Sequence, residues 1–537
     1  MNRKACDAAG NRSLWALPMP EITVTGRNLD EDLTTDVCVV GGGIAGLTSA
    51  YLALLDGASV VLIDSWDIAG GESCRTSAHL SNMLDRRYVA IESIHGEDGA
   101  FLAAASHSAA IDRIERIARD ESIDCRFARL DGYLFSPPGG SLDDLEKELT
   151  ATRRAGLAVD LIARAPLPDF DTGPCLRVGG QAHFDPTRYL AGLAAAIVRR
   201  GGRLYADSPA ESVAGGAEPV VTMANRRTIR AKAVIVATNS PMNDYVSIHL
   251  MQKAFRTYVV GGLVPGDTIA RALFWDTADP FHYVNVIPAA ALVGRSVPDG
   301  HDLLLIGGED HRTGRGDPTA ERFDQLIEWA AARFPGIGPF VVRWSGQVLE
   351  SIDGLGLIGA DPEKRANVYI ATGDSGNGLT HGTIAGMLLT DLIAGRSNPW
   401  RDLYSPRRKP VGALGNFVEE NARMTYQYAD WLHGSEVHDE SSIAPGSGAV
   451  LREGLKKWTA VHRRMDGTVV RRSAVCPHLG CIVHWNAAEC SWDCPCHGSR
   501  FDAEGSLLNG PALTGLAEAP DAREGAGADE TAKPASG

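Results

Sequence analysis

A glycine-rich turn between an apolar run and a helical pattern constrains this chain more than any other feature. The sequence TTDVCVVGGGIAGLTSAYLALL begins at residue 34, and its run Thr35–Val40 is typical of a strand buried on both faces of a parallel sheet. Apolar periodicity then predicts a helix over Leu47–Leu55 and a second strand over Ala58–Ile63. The segment therefore predicts a βαβ unit with GGGIAG at the turn from strand to helix.

The glycines of this unit have separate physical roles. Gly41 permits the tight turn, Gly43 lets the backbone approach a pyrophosphate, and Gly46 lets the helix and strand pack closely. Asp64 ends the second strand, 23 positions after Gly41, where a carboxylate can accept hydrogen bonds from ribose hydroxyls. An isolated GxGxxG is mostly a glycine-rich turn, but this context favours a dinucleotide with its phosphates at the helix N-terminus. The candidate contacts are Gly41, Gly43, Ile44, Ala45, Gly46, Asp64 and Ser65.

Composition limits the class of protein. The chain has 537 residues, a formal net charge of −15 and 44% hydrophobic residues, which fits a globular enzyme of several domains. An acidic chain without a basic stripe is not expected to bind nucleic acid or an anionic membrane as its main partner. No apolar run approaches the about 20 residues of a membrane span, and the first residues lack the features of an export signal. We therefore expect a cytoplasmic protein with no membrane span.

Further motifs are spread between residues 70 and 395. They are GGESCRTSAHL at 70–80, FDPTRYL at 184–190, AVIVATN at 233–239, RWSGQVLESIDGLGLIG at 343–359 and NVYIATGDSGNGLTHGTIAGMLLTDLIAG at 367–395. With them the chain resembles the D-amino-acid oxidase and glycine oxidase family of FAD enzymes over about residues 30–400. The resemblance implies an α/β FAD-binding domain of Rossmann type with an interleaved antiparallel-sheet substrate domain. Because no second GxGxxG is present, a separate NAD(P)H site is not expected.

The resemblance also implies contacts with the flavin. In this family the turn GDSGNGLT and the following helix face the pyrimidine edge of the flavin, where a helix N-terminus stabilises negative charge. A plain strand, turn and helix is the alternative reading of this stretch. Some relatives attach FAD covalently, and His79 and Cys74 are candidates for such a link, although Arg75 stands at the relatives' attachment position. The contacts carried over by resemblance are Arg75, Thr76, Thr238, Gly373, Asp374, Asn377, Gly378, Leu379 and Thr380.

Two departures from the family bear on the substrate. Glycine oxidases commonly show WxGLRP, whose arginine pairs with the substrate carboxylate, but here the stretch is WSGQVL and Val348 holds the arginine's place. A second family arginine is replaced by Gly376. The loss of both contacts favours an amine over a free α-amino acid, unless Arg256, Arg343 or His282 takes over their role.

Aromatic residues between the FAD-binding pieces are candidates for the substrate pocket. An amine pocket needs apolar walls and one or two acceptors for N–H groups. In the family this part of the chain forms the sheet that roofs the substrate. The candidates are Tyr258, His282, Tyr283 and Trp344, with burial in the core as the alternative.

Two cysteine–histidine boxes late in the chain predict a metal centre. CPHLGC at 476–481 and CPCHGS at 494–499 give the spacings C-x-H and C-x-x-H of a Rieske [2Fe–2S] centre, and structural zinc is the alternative. The extra cysteines, CHGS and the GPA at 510–512 resemble the Rieske proteins of respiratory cytochrome bc complexes. The resemblance assigns one iron to Cys476 and Cys494, the other iron to His478 and His497, and a disulfide to Cys481 and Cys496.

The surroundings of the cluster depart from the respiratory pattern. Ser499 supplies one hydroxyl that can donate to the cluster, but Phe501 replaces the tyrosine of the relatives. Cys490 has no assigned role. Histidine ligands raise the potential above the about −400 mV of all-cysteine plant-type centres, and the missing donor lowers it below the respiratory range.

The chain divides into five segments. We expect an N-terminal extension (1–30), an FAD-dependent oxidoreductase region (31–400), a helical linker (401–441), a small all-β Rieske domain (442–516) and a disordered tail (517–537). FAD-binding pieces at 31–100, 175–245 and 345–400 alternate with substrate-domain pieces at 101–174 and 246–344. Helical spacing between Phe417 and Trp431 supports the linker, and alternating runs that begin at 450, 458 and 468 predict strands of the small domain.

The two predicted sites suggest one function. We expect an FAD-dependent dehydrogenase that oxidises an amine and passes electrons singly through the cluster to an unknown acceptor, a protein or a quinone-linked carrier. One alternative is an amine or amino-acid oxidase that uses O2 directly and has a structural or redox-sensing cluster. Another is a non-catalytic electron carrier or redox sensor. A Rieske oxygenase also needs a mononuclear iron site, for which the sequence offers no convincing ligands.

Overall fold

A computed structural model describes residues 11–242, 246–292, 298, 300–315, 321–409, 411–413, 436, 437, 439–453 and 457–519. The chain forms two compact units, the first of Met1–Thr313 and Ala320–Ala422 and the second of Gly314–Thr319 and Arg423–Gly537. The predicted helical spacing between Phe417 and Trp431, and the predicted tail from residue 520 onward, lie outside the described residues.

The first unit contains two large sheets with helices around them. Its strands are β1 (Gly26–Arg27), β2 (Leu33–Val40), β3 (Val60–Ile63), β4 (His79–Leu80), β5 (Ala128–Phe135), β6 (Val159–Ile162), β7 (Cys175–His183), β8 (Arg203–Ala206), β9 (Ala210–Ala214), β10 (Val220–Met223), β11 (Thr228–Val236), β12 (Gln252–Pro265), β13 (Leu273–Asp276), β14 (His282–Ile287), β15 (His301–Arg312), β16 (Phe340–Ser351), β17 (Leu357–Ala360) and β18 (Val368–Thr372). Its helices are α1 (Ile44–Leu55), α2 (Tyr88–Asp120), α3 (Leu142–Arg154), α4 (Pro186–Arg199), α5 (Val246–His249), α6 (Ala289–Leu292), α7 (Glu321–Arg333), α8 (Gly378–Ile393) and α9 (Arg401–Tyr404).

The first sheet carries the predicted βαβ unit. Its strand order is β1-β8-β3-β2-β11-β10-β9, with β18 beside β11 and β17 beside β18. β2 pairs in parallel with both β3 and β11, so the strand before GGGIAG has neighbours on both sides. The helix begins at Ile44 rather than at the predicted Leu47. The reason is that Gly43 already serves as the N-cap, so the last residues of the glycine motif form the first helical turn.

The second sheet follows the order β16-β12-β15-β14-β13-β5-β7-β4, with β6 beside β7. Its pairs are antiparallel except for β5 with β13, as the resemblance implied for a substrate domain. Both β7 and all of β16 belong to this sheet, whereas the predicted division placed residues 175–183 and 345–351 with the FAD-binding pieces. The chain therefore leaves the second sheet after β7 and after β16, several residues later than predicted.

Part of the N-terminal extension packs into the first unit. β1 pairs in parallel with β8 at the edge of the first sheet. The indole of Trp15 is buried, and its Nε1 donates a hydrogen bond to the carbonyl oxygen of Thr76 at 2.6 Å. Ser13 Oγ donates to the carbonyl oxygen of Cys74 at 2.6 Å. These residues therefore hold the segment that contains GGESCRTSAHL.

The second unit is all-β. Its strands are β19 (Gly448–Glu453), β20 (Lys457–Arg463), β21 (Val469–Ser473), β22 (His484–Asn486), β23 (Ser491–Asp493), β24 (Arg500–Asp502) and β25 (Leu507–Asn509). They form a three-stranded sheet, β19-β20-β21, and a four-stranded sheet, β22-β23-β24-β25, both antiparallel. The N–H of Glu436 donates to the carbonyl oxygen of Val450 at 3.0 Å, so backbone pairing begins before the predicted start at residue 442. The predicted fold class, an α/β unit with a second, mainly antiparallel sheet followed by a small all-β unit, is confirmed.

Membrane-spanning helices are not found in the described part of the chain: each helix there is too short or too polar to cross a bilayer. The longest helix among the described residues, α2, contains a non-helical glycine, Gly96, with φ of 74°.

A buried ion pair holds the chain after α9 against the first unit. Nε and Nη2 of Arg408 each donate to the Asp353 carboxylate at 2.7 Å, and the same guanidinium also donates to the carbonyl oxygens of Gly356 and Leu355. The Asp353 side chain is fully buried. Burial alone raises the pKa of Asp353, but the charge and hydrogen bonds of Arg408 outweigh it and hold that pKa below its usual value.

We expect Arg408→Met to destabilise the first unit by about 3–5 kcal/mol, because the variant leaves the Asp353 carboxylate buried without its partner. Thermal unfolding followed by release of flavin fluorescence should show a clearly lower midpoint. Arg401→Met is the matched control, since Arg401 and its neighbour Asp402 are both exposed and their ion pair contributes little. Equal midpoints for the two variants would contradict this role of Arg408.

Candidate functional site

The glycine turn after β2 forms a cradle at the N-terminus of α1. Gly43 caps the helix without a side-chain hydrogen bond, which leaves backbone N–H groups of the first turn directed towards the turn. A Cβ at Gly46 would lie 1.9 Å from the carbonyl oxygen of Gly41, so a side chain cannot be placed there without moving the backbone. Ser73 Oγ accepts a hydrogen bond from Ile44 N–H at 3.1 Å, which brings a hydroxyl to the cradle. Backbone donors at a glycine-lined helix N-terminus fit a pyrophosphate.

Asp64 lies at the end of β3, beside the glycine turn, as the spacing predicted. Its Oδ2 accepts from Gly42 N–H at 2.7 Å, and its Oδ1 accepts from Trp66 N–H at 2.8 Å. A carboxylate at the end of this strand suits the hydroxyl groups of a ribose. Ser65 follows at an exposed position, and Ala45 is half-buried.

The segment 72–77 lies against β16 of the second sheet. Trp344 Nε1 donates to the carbonyl oxygen of Arg75 at 2.6 Å, and Arg75 Nη1 donates to that of Ser345 at 3.1 Å. Gln347 N–H donates to Glu72 Oε2 at 2.7 Å. Trp344 is fully buried, so its indole positions this segment rather than forming an open pocket wall.

The two candidates for covalent attachment are both packed side chains. The Cys74 thiol is buried and donates to the carbonyl oxygen of Gly71 at 3.0 Å. The His79 ring contacts the rings of Trp275 and Tyr283, with centroids 5.7 and 5.4 Å away, and its Nδ1 lies 2.9 Å from Ser77 Oγ. Burial lowers the pKa of His79 to about 3, so the imidazole is neutral.

The turn after β18 forms a second open helix N-terminus. Asn377 is the N-cap of α8 and makes no capping side-chain hydrogen bond. Its Oδ1 instead accepts from Asp85 N–H at 3.4 Å. The Thr380 hydroxyl lies 2.8 Å from His107 Nδ1, and Leu379 is buried. Thr238, at the end of β11, donates to the carbonyl oxygen of Ser240 at 2.7 Å.

Close contact between α1 and α8 brings the two glycine motifs together. A Cβ at Gly382 would lie 2.6 Å from Ile44 Cγ2, and a Cβ at Gly386 would lie 2.5 Å from Thr48 Cγ2. The helices therefore touch near their N-termini. The predicted contacts at 41–46 and at 373–380, which are far apart in sequence, belong to one region of the first unit.

The four aromatic candidates do not line one pocket. Tyr258 stacks on His311 and meets the ring edge of Phe323 from α7, with centroids 5.6 and 5.0 Å away. The His282 ring stacks on Trp329, also from α7, at 4.5 Å. Tyr258 and His282 thus lie on the face of the second sheet that α7 covers.

Tyr283 lies on the opposite face, because successive side chains of a strand point to opposite sides. It contacts His79, and its hydroxyl lies 3.1 Å from Thr257 Oγ1. His282 Nδ1 and Nε2 lie 2.9 and 3.2 Å from carboxylate oxygens of Asp276 and Glu309. Tyr258 and His282 therefore lie on the opposite face of the sheet from Tyr283.

The proposed substitutes for the missing arginines do not reach the face of Tyr283. Arg256 is fully buried on the face of Tyr258, where its Nη2 donates to Ser345 Oγ. Arg343 is exposed, and its Nε donates to Asn11 Oδ1 at 3.1 Å. In the pairing of β12 with β16, Gly346 lies opposite Thr257 and Val348 lies opposite Phe255. Because every second residue of a strand points to the same face, Val348 lies on the same face as Thr257.

Acidic side chains are concentrated on this face. Burial and the charges of Glu350 and Asp85 raise the pKa of Asp310 to about 7. Burial and the charge of Glu350 raise the pKa of Asp85 to about 6. Burial and the charge of Glu72 raise the pKa of Asp374 to about 7. This region therefore contains several acids that ionise near neutral pH, together with Lys253 and Arg312 on the same face.

In the second unit, two loops of matching shape hold the cysteine–histidine boxes. Gly480 N–H donates to the carbonyl oxygen of Cys476, and Gly498 N–H donates to that of Cys494, both at 3.1 Å. Both glycines have φ of 79°. The rings of His478 and His497 lie with centroids 4.9 Å apart. Each loop thus presents one cysteine and one histidine to the same place.

The cysteines of the loops separate into a bonded pair and a free pair. Cys481 and Cys496 form a disulfide, as predicted, with Cα atoms 6.4 Å apart. Cys476 and Cys494 are free, buried thiols within hydrogen-bonding reach of each other. Sulfurs of Cys481 and Cys496 also lie near Cys494, but disulfide sulfurs lack the thiolate that a metal needs.

The donor set therefore fits a cluster with two thiolate and two imidazole ligands. Burial and the charge of His478 lower the pKa of His497 to about 3, which keeps His497 in the neutral form that binds metal. Ser499 lies within hydrogen-bonding reach of Cys476 and accepts from Ala512 N–H at 3.0 Å. Phe501 is fully buried and supplies no hydroxyl.

Several residues at these sites were not predicted from the sequence. Ser73 lies in GGESC, and its position within this motif is the only indication in the sequence that it lies at the site. Asp310 and Asp85 lie in stretches that match none of the motifs found in the sequence. Arg500 donates to Asp493 at 2.9 Å and to Glu489 at 2.7 Å in a fully buried network, which single-sequence patterns do not reveal.

Comparisons with protein families agree with both sites. Residues 36–392 match the model of the FAD dependent oxidoreductase family (DAO), and residues 435–520 match that of the Rieske [2Fe-2S] domain. A putative Rieske 2Fe-2S iron-sulfur protein, YhfW, of Bacillus subtilis is 30% identical over 492 residues, which cover 91% of this chain and 94% of that protein.

Two further similarities concern the first unit. Gamma-glutamylputrescine oxidoreductase of Escherichia coli is 28% identical over 377 residues, which cover 68% of this chain and 85% of the relative. The crystal structure of glycine oxidase from Geobacillus kaustophilus shares the fold with a TM-score of 0.57 at 19% identity, covering 70% of this chain and 99% of that chain. The predicted cofactors, FAD and a [2Fe–2S] cluster, are confirmed by the family matches. The chain belongs to the DAO family of FAD dependent oxidoreductases and has a Rieske [2Fe-2S] domain after its oxidoreductase region.

Proposed function

We propose that this protein is an FAD-dependent dehydrogenase that oxidises a C–N bond of an amine and passes the electrons singly through its Rieske cluster to a separate acceptor. The observation that carries the proposal is the presence of two different redox sites in one chain. When bound, FAD accepts two electrons from a C–H bond, whereas a [2Fe–2S] centre carries one electron at a time. An acceptor protein or a quinone-linked carrier suits such an outlet.

In this proposal the chain holds FAD with two helix N-termini. The N-terminus of α1, lined by Gly43 and Ile44, binds the pyrophosphate, and Asp64 accepts from a ribose hydroxyl. The N-terminus of α8 after Asn377 donates N–H groups where the reduced ring becomes negative. The contacts of Gly41, Ala45, Gly46, Ser65, Arg75, Thr76, Thr238, Gly373, Asp374, Gly378, Leu379 and Thr380 with FAD stay predictions.

The loss of the two carboxylate-binding arginines of the resembled family supports an amine substrate. Val348 and Gly376 stand at the two positions where the resembled enzymes have carboxylate-binding arginines. Arg256 and Arg343 are held elsewhere by Ser345 and Asn11. The relative from Escherichia coli is named for gamma-glutamylputrescine, and we propose that this chain likewise oxidises an amine.

The side chains of this face suit a neutral amine at the reacting end. Tyr283 and Val348 are half-buried and supply apolar surface, and the Tyr283 hydroxyl is bonded to Thr257. Burial and the charge of Asp310 raise the pKa of Tyr283, so its phenol stays protonated. Tyr283 can therefore donate or accept a hydrogen bond but does not act as an ionised base near neutral pH.

The Rieske loops supply the outlet in this proposal. Cys476 and Cys494 bind one iron, and His478 and His497 bind the other. With Ser499 but no tyrosine hydroxyl beside the cluster, we expect a potential below that of respiratory relatives.

Loss of the cluster should separate the two half-reactions. In Cys494→Ser, anaerobic bleaching of the flavin by an amine should proceed near the wild-type rate, because the FAD-binding residues lie in the first unit. Turnover with a one-electron acceptor should fall by about 100-fold or more. Stopped-flow absorbance measures the first step, and steady-state reduction of an acceptor dye measures the second.

Cys490→Ser is the matched control, because Cys490 is a cysteine of the same unit that lies outside both boxes and forms no disulfide. It should retain the cluster and normal turnover. Normal turnover of Cys494→Ser with stoichiometric release of hydrogen peroxide would instead indicate an oxidase that uses O2 directly.

An arginine restored at one position should change the preference for carboxylates. Wild-type flavin should be bleached faster by an amine than by the α-amino acid with the same side chain. Val348→Arg should reduce that preference by about 10-fold or more, since a charge-assisted bond to a carboxylate contributes about 1.5–3 kcal/mol. Single-turnover rates with such substrate pairs measure the ratio.

Val341→Arg adds the same charge at an exposed position of β16 and should leave the preference unchanged. A large wild-type preference for free amino acids would contradict the amine proposal. The proposal would also be contradicted if Val348→Arg and Val341→Arg had the same ratio of the rate with the amine to the rate with the amino acid.

A further inference from the structure

We infer that the substrate carries a second positive charge, which Asp310 and Asp85 bind, so that the substrate class is a diamine or a longer polyamine. The inference rests on the proposed amine oxidation and extends it from the reacting nitrogen to the distal end of the substrate. It comes from the shape of β15, from two acids that form no ion pair with any residue that the structure describes and from the space beside Gly376.

A β-bulge places Asp310 on the pocket face. The register of β12 with β15 shifts between the Tyr258–Gly308 and Arg256–His311 pairs, and Glu309 has φ of +54°. Because the extra residue breaks the alternation, neighbouring acids point to opposite faces. Glu309 lies 3.2 Å from His282 and 3.1 Å from Arg322, on the face covered by α7. Asp310 instead lies beside Thr257 and Tyr283.

The Asp310 carboxylate lacks the partners that its neighbour has. One of its oxygens accepts a hydrogen bond from the Thr257 hydroxyl, whereas Oδ1 is buried and accepts none from any residue that the structure describes. Within that part of the chain, no lysine, arginine or histidine nitrogen lies within 4.0 Å of the carboxylate of Asp310 or of Asp85. A buried carboxylate without a cation is costly, so an acid kept in this state points to a cation supplied from outside the chain.

Asp85 occupies the place of the missing arginine side chain. Gly376 has φ of +86°, and a Cβ built on it would lie 1.9 Å from Asp85 Oδ2. The position at which the resembled enzymes direct a cation towards a substrate carboxylate is therefore filled by a carboxylate. Reversal of the charge on the protein calls for reversal of the charge on the ligand.

Acidic and basic side chains both lie around Asp310. Glu350 and Asp85 face it on the pocket side, and Glu309 acts through the sheet. Lys253 lies 4.0 Å from Glu350, and Arg87, which is near Asp85, donates to the carbonyl oxygen of Asp276 at 3.0 Å. Arg312 lies on the same face, over the ring of Phe255 with which it pairs. None of these three cations forms an ion pair with Asp310 or Asp85 among the described residues. The charged and titratable groups on the side of Asp310 are Asp85, Glu350, Lys253, Arg87, Arg312 and Tyr283, whereas Glu309 lies on the opposite face.

The ionisation of the two acids should make recognition depend on pH. The pKa values of about 7 for Asp310 and about 6 for Asp85 mean that both are ionised at pH 8 and largely protonated at pH 5. Aliphatic diamines stay doubly charged throughout this range. Preference for a diamine should therefore be strongest at pH 8 and should fall as the pH decreases through 7 to 5.

The test compares α,ω-diamines of three to six carbons with the monoamines of equal chain length. Saturation of anaerobic flavin bleaching in the stopped flow gives Kd and the limiting rate separately. At pH 8 at least one diamine should bind about tenfold or more tightly than its matched monoamine, which is about 1.4 kcal/mol. Asp310→Asn should reduce that ratio at least about fivefold, and so should Asp85→Asn.

Asp131→Asn is the matched control, because Asp131 is an exposed acid of the same sheet and its variant has the same change in net charge. Its diamine-to-monoamine ratio should equal that of the wild type. If Asp310→Asn weakens the binding of monoamines and of diamines equally, Asp310 interacts only with the nitrogen that is oxidised, and the inference is wrong.

Thermal unfolding of the oxidised holoenzyme gives a readout independent of turnover. A carboxyl whose pKa is raised by folding stabilises the protein fully below its unfolded pKa of about 4, and this contribution is lost as the pH rises through about 7. Asp310→Asn should therefore melt no lower than the wild type at pH 8. A diamine should raise the wild-type midpoint at pH 8 more than the matched monoamine, and this difference should disappear in Asp310→Asn. A lower midpoint for the variant with an unchanged diamine effect would show a purely structural carboxylate.

Different results would contradict the proposed amine oxidation and the inferred second charge on the substrate. If no amine bleaches the flavin, the proposed function is wrong. If monoamines bleach it as well as the diamines of equal length do, amine oxidation stands and the second charge is wrong.

Discussion

The contact between α1 and α8 is the constraint on which the FAD region depends. Gly382 and Gly386 bring α8 so close to α1 that added Cβ atoms would meet Ile44 and Thr48 at 2.6 and 2.5 Å. Two helix N-termini that lack side-chain caps thereby lie in one region. Each end leaves backbone donors without partners from its own helix, and together they form a site for a ligand with negative charge at more than one place. Side chains of ordinary size at these glycines would separate the helices and divide the site.

The second sheet determines which side chains reach that site. Alternation along β14 sends His282 under α7 and Tyr283 towards His79, although the two residues are adjacent in sequence. The bulge in β15 also directs the neighbouring residues Glu309 and Asp310 to opposite faces, because its extra residue breaks the alternation. One acid is consequently held in ion pairs, whereas the other faces the pocket. The chemistry of the pocket thus depends on backbone geometry as much as on residue type.

The geometry of the metal centre depends mainly on residues that are close in sequence. In each loop a glycine four residues after the cysteine donates back to the cysteine carbonyl, and the disulfide between Cys481 and Cys496 joins the loops. The ligands are therefore fixed by short spacings and one cross-link, with little help from distant residues. The buried pairing of Arg500 with Glu489 and Asp493 lies beside this centre and places charged groups in its low-dielectric surroundings.

The sequence by itself determined the features that depend on short spacings. The βαβ unit, the fold class, the two cofactors, the disulfide and the two cysteine–histidine boxes were all predictable, because each follows from residues within about 30 positions or from motifs of a resembled family. The helix start at Ile44 and the sheet membership of β7 and β16 were missed by a few residues, because caps and strand pairing depend on neighbours that a single sequence does not reveal. Only the tertiary structure decided which side chains share a face. It separated Tyr258 and His282 from Tyr283, placed Asp85 in the space beside Gly376 and brought Asp310 to the face of Tyr283, because side-chain direction in a sheet depends on register and bulges, and nearness of distant loops depends on packing.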